Sequence, residues 1–325
     1  SDIGKVVTGK TPRTSVGENY GGNIPFLTPS DDLSYKSAPK TTKTLTEQGL
    51  EEVKNCLLPP HSVCVSCIGS DLGKVVITLE PTVTNQQFNS IIPNKNFNAD
   101  FVYYLMTLVG RELNYLSKTS TAVPIINKSS FSNYEVEVPN LETQEKIASI
   151  LSSLDSKIEL NRRINDNLEQ QAQALFKAWF VDFEPFKDGE FVDSELGMIP
   201  KGWKIMPLEY LVDKVKSGDW GKEEGNYKIK TYCMRGADFP DIKEGRIGKM
   251  PIRYILEKNF QEKALCDGNI VVEISGGSPT QSTGRVVLAD KGFIADCDNA
   301  LICTNFCKSL EIKDEYSFFF YLLWQ

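Results

Sequence analysis

Hydrophobic and polar positions alternate in two different ways along this chain, and the change from one to the other divides it. From Glu142 to Phe180 a series recurs at alternating steps of four and three: Ile147, Leu151, Leu154, Ile158, Asn161, Asn165, Leu168, Ala172, Leu175 and Trp179. That heptad spacing predicts a helix with a coiled-coil seam. Asn161 and Asn165 weaken the seam but fix register and partner, because each amide needs a matching polar group across the interface. At about 1.5 Å per residue the helix spans roughly 58 Å, more than a domain radius. It is therefore expected to separate two bodies, and its apolar stripe calls for a partner helix. The competing reading, an ordinary amphipathic helix on one core, conflicts with its length.

On either side the pattern shortens to strands and turns. In residues 2–141 the apolar runs Val63–Ile68, Val75–Leu79 and Ser90–Ile92 are bounded by Gly, Pro and Asn, and Phe101–Val109 reads as one short helix. Pro139 is expected to stop a last strand and Asn140 to cap the long helix. After the helix, Pro185, Gly189, Gly197, Pro200 and Gly202 punctuate a linker, and a second strand-rich region begins near Trp203. The expected fold class is mixed α/β of the α+β kind. Strand-rich domains over 1–141 and 203–325 flank a long spacer helix over 142–184 and a linker over 185–202.

The two strand-rich regions resemble each other when laid about 210 positions apart. Ile3–Gly9 matches Val212–Gly218. Ile68-Gly69-Ser70 followed by Gly73-Lys74-Val75 matches Ile274-Ser275-Gly276 followed by Gly284-Arg285-Val286, and Phe101–Leu105 matches Phe318–Leu322. Three matches in one order indicate a duplication. The second copy ends at Gln325 without the long helix that follows the first, so the chain reads as a truncated piece whose helix was built to pair with another.

A chain of 325 residues with 41% hydrophobic content suits two soluble domains. Its densest apolar stretch, Phe318–Trp324, is too short to span a membrane. With no signal peptide and Ser1 in place of Met, the start is read as cleaved or internal. The eight Cys, lacking a regular framework, are expected to be reduced thiols in the cytoplasm. Cys64 and Cys67 form a CxxC without a knuckle glycine, so zinc is not expected. His61, the only histidine, follows Pro59-Pro60 and reads as a surface turn residue.

The net charge of −7 argues against a freestanding nucleic-acid binder, but the average hides segregation. Acidic residues such as Asp155, Glu159, Asp166, Glu169, Asp182 and Glu184 collect in the helix and just beyond it. Basic residues collect instead in what read as flanking loops: Lys36, Lys40 and Lys43 before, and Lys214, Lys216, Lys222, Lys228, Lys230 and Arg235 after.

Gly4–Thr11 satisfies the phosphate-loop pattern GxxxxGK[ST] letter for letter. The context rejects it, since Val6-Val7 reads as strand, Pro12 follows where a helix should open, and the second copy has Gly218-Asp219-Trp220. No other catalytic constellation is present, and a single histidine rules out most acid–base dyads. What remains is recognition chemistry in loops suited to phosphates and base edges. These are Lys10-Thr11 with Arg13, Asn85-Gln86-Gln87, Lys118-Thr119-Ser120-Thr121, and Ser275-Gly276-Gly277-Ser278 with Gln281.

A resemblance gathers these signals. It is carried by Thr8-Gly9-Lys10-Thr11-Pro12, by the run Gly21–Asp31, and by Thr84-Asn85-Gln86-Gln87. It continues through Val138-Pro139 into Glu145-Lys146-Ile147 and Leu151, and ends with Leu168-Glu169, Ala174-Leu175-Phe176 and Trp179-Phe180. In these residues the chain resembles the DNA-specificity subunit of type I restriction-modification systems. The resemblance implies two target-recognition domains, each reading half of a split double-stranded DNA site, joined by two long helices packed antiparallel. It implies two methyltransferase subunits that bring S-adenosylmethionine, restriction subunits that cut, and a non-catalytic chain with no cofactor of its own. DNA contacts are then expected from Lys10, Thr11, Arg13, Tyr20, Ser70, Lys74, Asn85, Gln86, Lys118, Thr119 and Ser120. In the second domain they are expected from Lys216, Trp220, Lys222, Arg235, Ser275, Ser278, Gln281 and Arg285. The departures are the missing second helix and a second copy that keeps little of the Gly-Lys-Thr-Pro and Gly-Gly-x-Ile-Pro signatures. The other class of function compatible with the pattern is a protein-interaction scaffold that dimerises through the helix.

Overall fold

A computed structural model describes residues 2–37, 41–118, 126–223, 227–276 and 282–325. It divides into two compact units, Ser1–Leu160 and Asn161–Gln325, and the architecture is mixed, with sheet-rich bodies flanking one long helix.

In the first unit the strands are β1 (Gly4–Thr8), β2 (Tyr20–Leu27), β3 (Lys43–Leu45), β4 (Leu57–Leu58), β5 (Val63–Ser66), β6 (Val75–Ile77), β7 (Thr82–Thr84) and β8 (Phe88–Pro93). The helices are α1 (Glu47–Glu51), α2 (Ala99–Lys118), α3 (Lys128–Ser132) and the start of α4 (Leu141–Phe180). One sheet runs β1-β8-β5-β6, antiparallel throughout, and the other runs β3-β2-β7-β4 with β2 and β7 parallel. The run Val63–Val65 is apolar at successive positions because both of its faces are covered. Val63 and Val65 pack with Val102, Met106 and Val109 of α2, while Cys64 joins Val7, Leu27, Leu58 and Phe88 on the opposite side. Burial pushes the Cys64 thiol up to about 12, and all eight cysteines are free thiols. His61 is exposed in a turn at φ +65°.

Two local expectations are corrected. The helix begun at Phe101 does not stop before Gly110 but continues to Lys118. Gly110 is there for close approach, since a Cβ on it would sit 2.1 Å from the Gly73 carbonyl oxygen, and Gly73 itself lies at φ +87°. The segment before α4 is no strand. Tyr134 and Val136 pack on the α2 cluster without pairing to any strand, and Asn140 then caps the helix by accepting the Thr143 N–H at 3.0 Å. The segment Gly4–Thr8 is strand throughout, so the phosphate-loop pattern has no loop to form.

The first turns of α4 lie on their unit through a mostly polar face that includes the buried Ala148. Gln144, 2% exposed, accepts from the Asn98 N–H at 3.1 Å and donates to the Pro139 carbonyl at 2.9 Å. Lys36 donates to Ser152 at 2.8 Å and to the Tyr104 hydroxyl at 3.2 Å, and it pairs with Asp100 at 2.8 Å. Tyr104 donates to Asp155 at 2.5 Å, and burial together with that carboxylate raises its phenol above the usual range. Ser152 and Asp155 stand beside the heptad seam rather than on it, and Leu154 and Ile158 of the seam stay exposed.

The second unit contains β9 (Phe191–Val192), β10 (Ile199–Pro200), β11 (Val212–Ser217), β12 (Ile229–Met234), β13 (Ile252–Ile255), β14 (Asn269–Glu273), β15 (Val286–Ala289), β16 (Leu301–Cys303) and β17 (Cys307–Ile312). Its short helices are α5 (Phe239–Lys243), α6 (Glu257–Lys263), α7 (Lys291–Asp296) and α8 (Ser317–Trp324). The stretch read as linker holds the β9–β10 hairpin, and its Phe186 joins Phe180 and Phe183 around Trp203. Phe176 of α4 is buried against Phe319 of α8, ring centroids 5.3 Å apart.

The sheets of this unit run β11-β17-β14-β15, all antiparallel, and β13-β12-β16 with β12 and β16 parallel. Strand for strand, these are the orders and senses of β1-β8-β5-β6 and β3-β2-β7, so the duplication read from three short matches is present in the topology. The hydrogen bonds also refine the match. The N–H of Cys67 goes to the Gln87 carbonyl as that of Ile274 goes to Phe306, which sets Cys67 rather than Ile68 opposite Ile274. Gly73 at φ +87° and Gly284 at φ +86° then lead into Lys74 and Arg285.

Candidate nucleic-acid interface

The end of β1 in the first unit and the end of β11 in the second are each locked by a glycine to the turn between two other strands. A Cβ on Gly9 would lie 2.1 Å from the Asn85 carbonyl oxygen, and one on Gly218 would lie 1.9 Å from that of Thr304. The next residue donates its N–H across the same gap, Lys10 to Thr84 at 2.9 Å and Asp219 to Cys303 at 2.8 Å. Two units thus hold one mount in one way.

On the first mount the predicted residues come together. Lys10 is exposed, and Thr11 donates its hydroxyl to the Gln86 carboxamide oxygen at 2.6 Å. Asn85 is buried and shapes the turn, accepting the Gln87 N–H at 3.1 Å and donating to the Gln87 side chain at 2.8 Å. Tyr20 donates to the Pro12 carbonyl at 2.9 Å. Arg13 grips Glu52 with Nε and Nη2 at 2.9 and 2.7 Å, which with the Arg13 backbone N–H holds that carboxyl down to about 2. Lys74 is exposed and paired with Asp71 at 2.7 Å. Ser70 lies in the turn Gly69–Asp71 and Lys118 ends α2. Their side chains, and all of Thr119 and Ser120, are outside the described residues.

On the second mount the chemistry differs. Asp219 takes the place of Lys10, and its carboxylate accepts from Lys263 at 3.0 Å and Asn259 at 3.1 Å. Trp220 follows with one ring face against the Arg253 guanidinium, and Lys222 is exposed beside it. The other basic residues expected here are engaged within the unit. Lys216 is nearly buried, paired with Glu311 and donating to the Ala264 carbonyl at 3.3 Å. Arg235 grips Asp238 at 2.9 and 2.7 Å, and Arg285 holds Glu273 at 2.8 Å while donating to the Gly236 carbonyl at 2.8 Å. Lys214 and Lys216 lie in β11 and Lys230 in β12, so these three are strand residues rather than the loop residues that their surroundings in sequence suggested. Ser275 is exposed, while Ser278 and Gln281 are outside the described residues.

A family model for the type I restriction modification DNA specificity domain matches residues 1–170, just over half of the chain. The chain belongs to that family. Over 305 residues it is 32% identical to the type I restriction enzyme MjaIX specificity subunit of Methanocaldococcus jannaschii, a match covering 88% of this chain and 67% of that protein. It is 35% identical over 173 residues to the HindI specificity subunit of Haemophilus influenzae, covering 51% of this chain and 37% of that one. A solved structure of the type I system S subunit from M. genitalium is similar over 98% of this chain and 73% of its own, at 16% identity and a TM-score of 0.45.

This specificity-domain chain also carries basic residues that the sequence reading missed. Lys128, first residue of the helix capped by Asn127, is exposed near Gly4, Lys5 and Asn94 at the start of β1. Arg253 and Lys263 are brought in by β13 and α6. An Asn-Lys at a helix start was a usable signal for Lys128, but nothing local marks the other two. No helix of the described residues is long and apolar enough to cross a membrane.

Proposed function

We propose that this chain is the DNA-reading part of a type I restriction-modification complex, each unit contacting one half of a bipartite site. The observation that carries the proposal is the duplicated mount, kept the same in both units while the side chains it presents differ. A fixed scaffold with varied tips is what reading two different half-sites requires. The exposed heptad seam of α4 supports the pairing of this helix with a second long helix, to set the spacing of the half-sites and to dock two methyltransferase subunits. In this reading the chain itself catalyses nothing and holds no cofactor. S-adenosylmethionine belongs to the methyltransferase subunits, and cleavage to restriction subunits.

The overall negative charge makes exposed cations of the first unit, Lys10 and Lys128 among them, the natural phosphate contacts. Replacing Lys10 and Lys128 by alanine, in the complex with the methyltransferase subunits, is expected to weaken binding to every DNA sequence alike. Each lost phosphate contact should reduce the slope of log affinity against log salt by about 0.9. Unchanged affinity and slope in the double variant would move the interface to another face.

A further inference from the structure

The residue two places past the mount glycine is Thr11 in the first unit and Trp220 in the second. Around Trp220 the backbone is fixed on both sides. The Asp219 carboxylate accepts the Gly221 N–H at 3.0 Å, Gly221 sits at φ +62°, and Lys222 exchanges two backbone hydrogen bonds of 2.9 Å with Tyr254. Arg253, itself buried, donates from Nε to the Trp220 carbonyl at 3.1 Å and lays its guanidinium 4.2 Å from the ring centroid. Glu223 pairs with the same guanidinium at 3.1 Å. The indole is therefore supported on one face, yet 39% of the residue stays exposed.

A supported, half-exposed indole on a rigid turn is pre-organised for an apolar contact, because little conformational entropy remains to be lost on binding. An unbroken duplex presents one apolar group at its base edges, the C5 methyl of thymine. We infer that Trp220 is a specificity-determining residue of the second unit and reads a thymine methyl group, at the position where the first unit presents the Thr11–Gln86 hydrogen-bonding pair. The inference rests on the DNA-reading proposal above and adds to it the base and the chemistry of the contact.

The test uses the full chain in its methyltransferase complex and the duplex site obtained from methylation mapping, with each thymine replaced singly by uracil. Uracil keeps every hydrogen-bonding group and removes only the methyl. The unsubstituted complex is expected to lose about 5- to 10-fold in affinity at one thymine position. Trp220→Ala should lose a similar factor on the thymine duplex with an unchanged salt slope, and uracil at that position should then cost it nothing more. Trp220→Phe, which keeps an aromatic face, should retain part of the uracil sensitivity and so separates lost contact from lost folding. A site whose thymines all tolerate uracil overturns the inference, as does a uracil penalty that persists in Trp220→Ala. Absence of any preference for the mapped site would instead overturn the DNA-reading proposal itself, and the inference with it.

Discussion

Replacing Arg285 by alanine is expected to destabilise the second unit by about 3–5 kcal/mol, read as a lowered urea midpoint. Glu273 is 5% exposed at the end of β14, and the Arg285 guanidinium is the cation that neutralises it, at 2.8 Å. Gly236 closes the other side, where a Cβ would lie 1.9 Å from a Glu273 carboxylate oxygen, so the carboxylate has no room to turn away. Removing the guanidinium leaves a desolvated charge without a partner, which costs far more than the pair itself contributes. The first unit shows the alternative solution. Its strand hydrogen bonds set Ser66 at the position of Glu273 and Lys74 at that of Arg285, with no buried charge. The double replacement Glu273→Ser with Arg285→Lys is therefore expected to recover most of the loss. A single Arg285→Ala variant with an unchanged midpoint would contradict the assignment of Arg285 to structure.

The isolated chain is expected to self-associate through α4. Along the heptad seam Leu154 and Leu168 are 55% and 57% exposed, and Ile158, Leu175 and Trp179 are exposed beside them. Fully burying a Leu contributes about 1.5–3 kcal/mol, and an uncovered stripe of several hundred Å2 is about the largest apolar patch that monomers carry. Asn161 and Asn165 are exposed on the same line and suit a matching polar group across the contact. Introducing Glu at both Leu154 and Leu168 places charges in the seam and should yield a monomer in analytical ultracentrifugation. An unmodified chain that is already monomeric at high concentration would show that the seam needs no cover.

The helix and the duplication were legible in the sequence because both are periodic: one repeats every seven residues, the other after about 210. The heptad series picks out Leu154, Ile158, Leu168, Leu175 and Trp179, which are exposed, but nothing in it marks the face that docks on the first unit, where Gln144, Ala148, Ser152 and Asp155 lie. What failed to show was long-range. Gly110 has the local look of a helix breaker, and only the distant Gly73 explains why the helix passes through it. Lys216, Arg235 and Arg285 read as available cations because a sequence shows that a residue is basic but not which carboxylate folds against it. Lys10, Thr11 and Gln86 could be picked out since each belongs to a contiguous polar turn, whereas Arg253 reaches Trp220 from a separate strand.

The most direct test of the central claim, that each unit reads its own half of the site, is adenine-methylation mapping in cells after residues 1–141 are exchanged for the corresponding domain of another family member. The measurement is made with the chain in complex with its methyltransferase subunits. One half of the methylated site should change to a new sequence while the other half and the gap between them stay as they were. A methylation pattern that is unchanged, or that changes in both halves at once, would contradict the account.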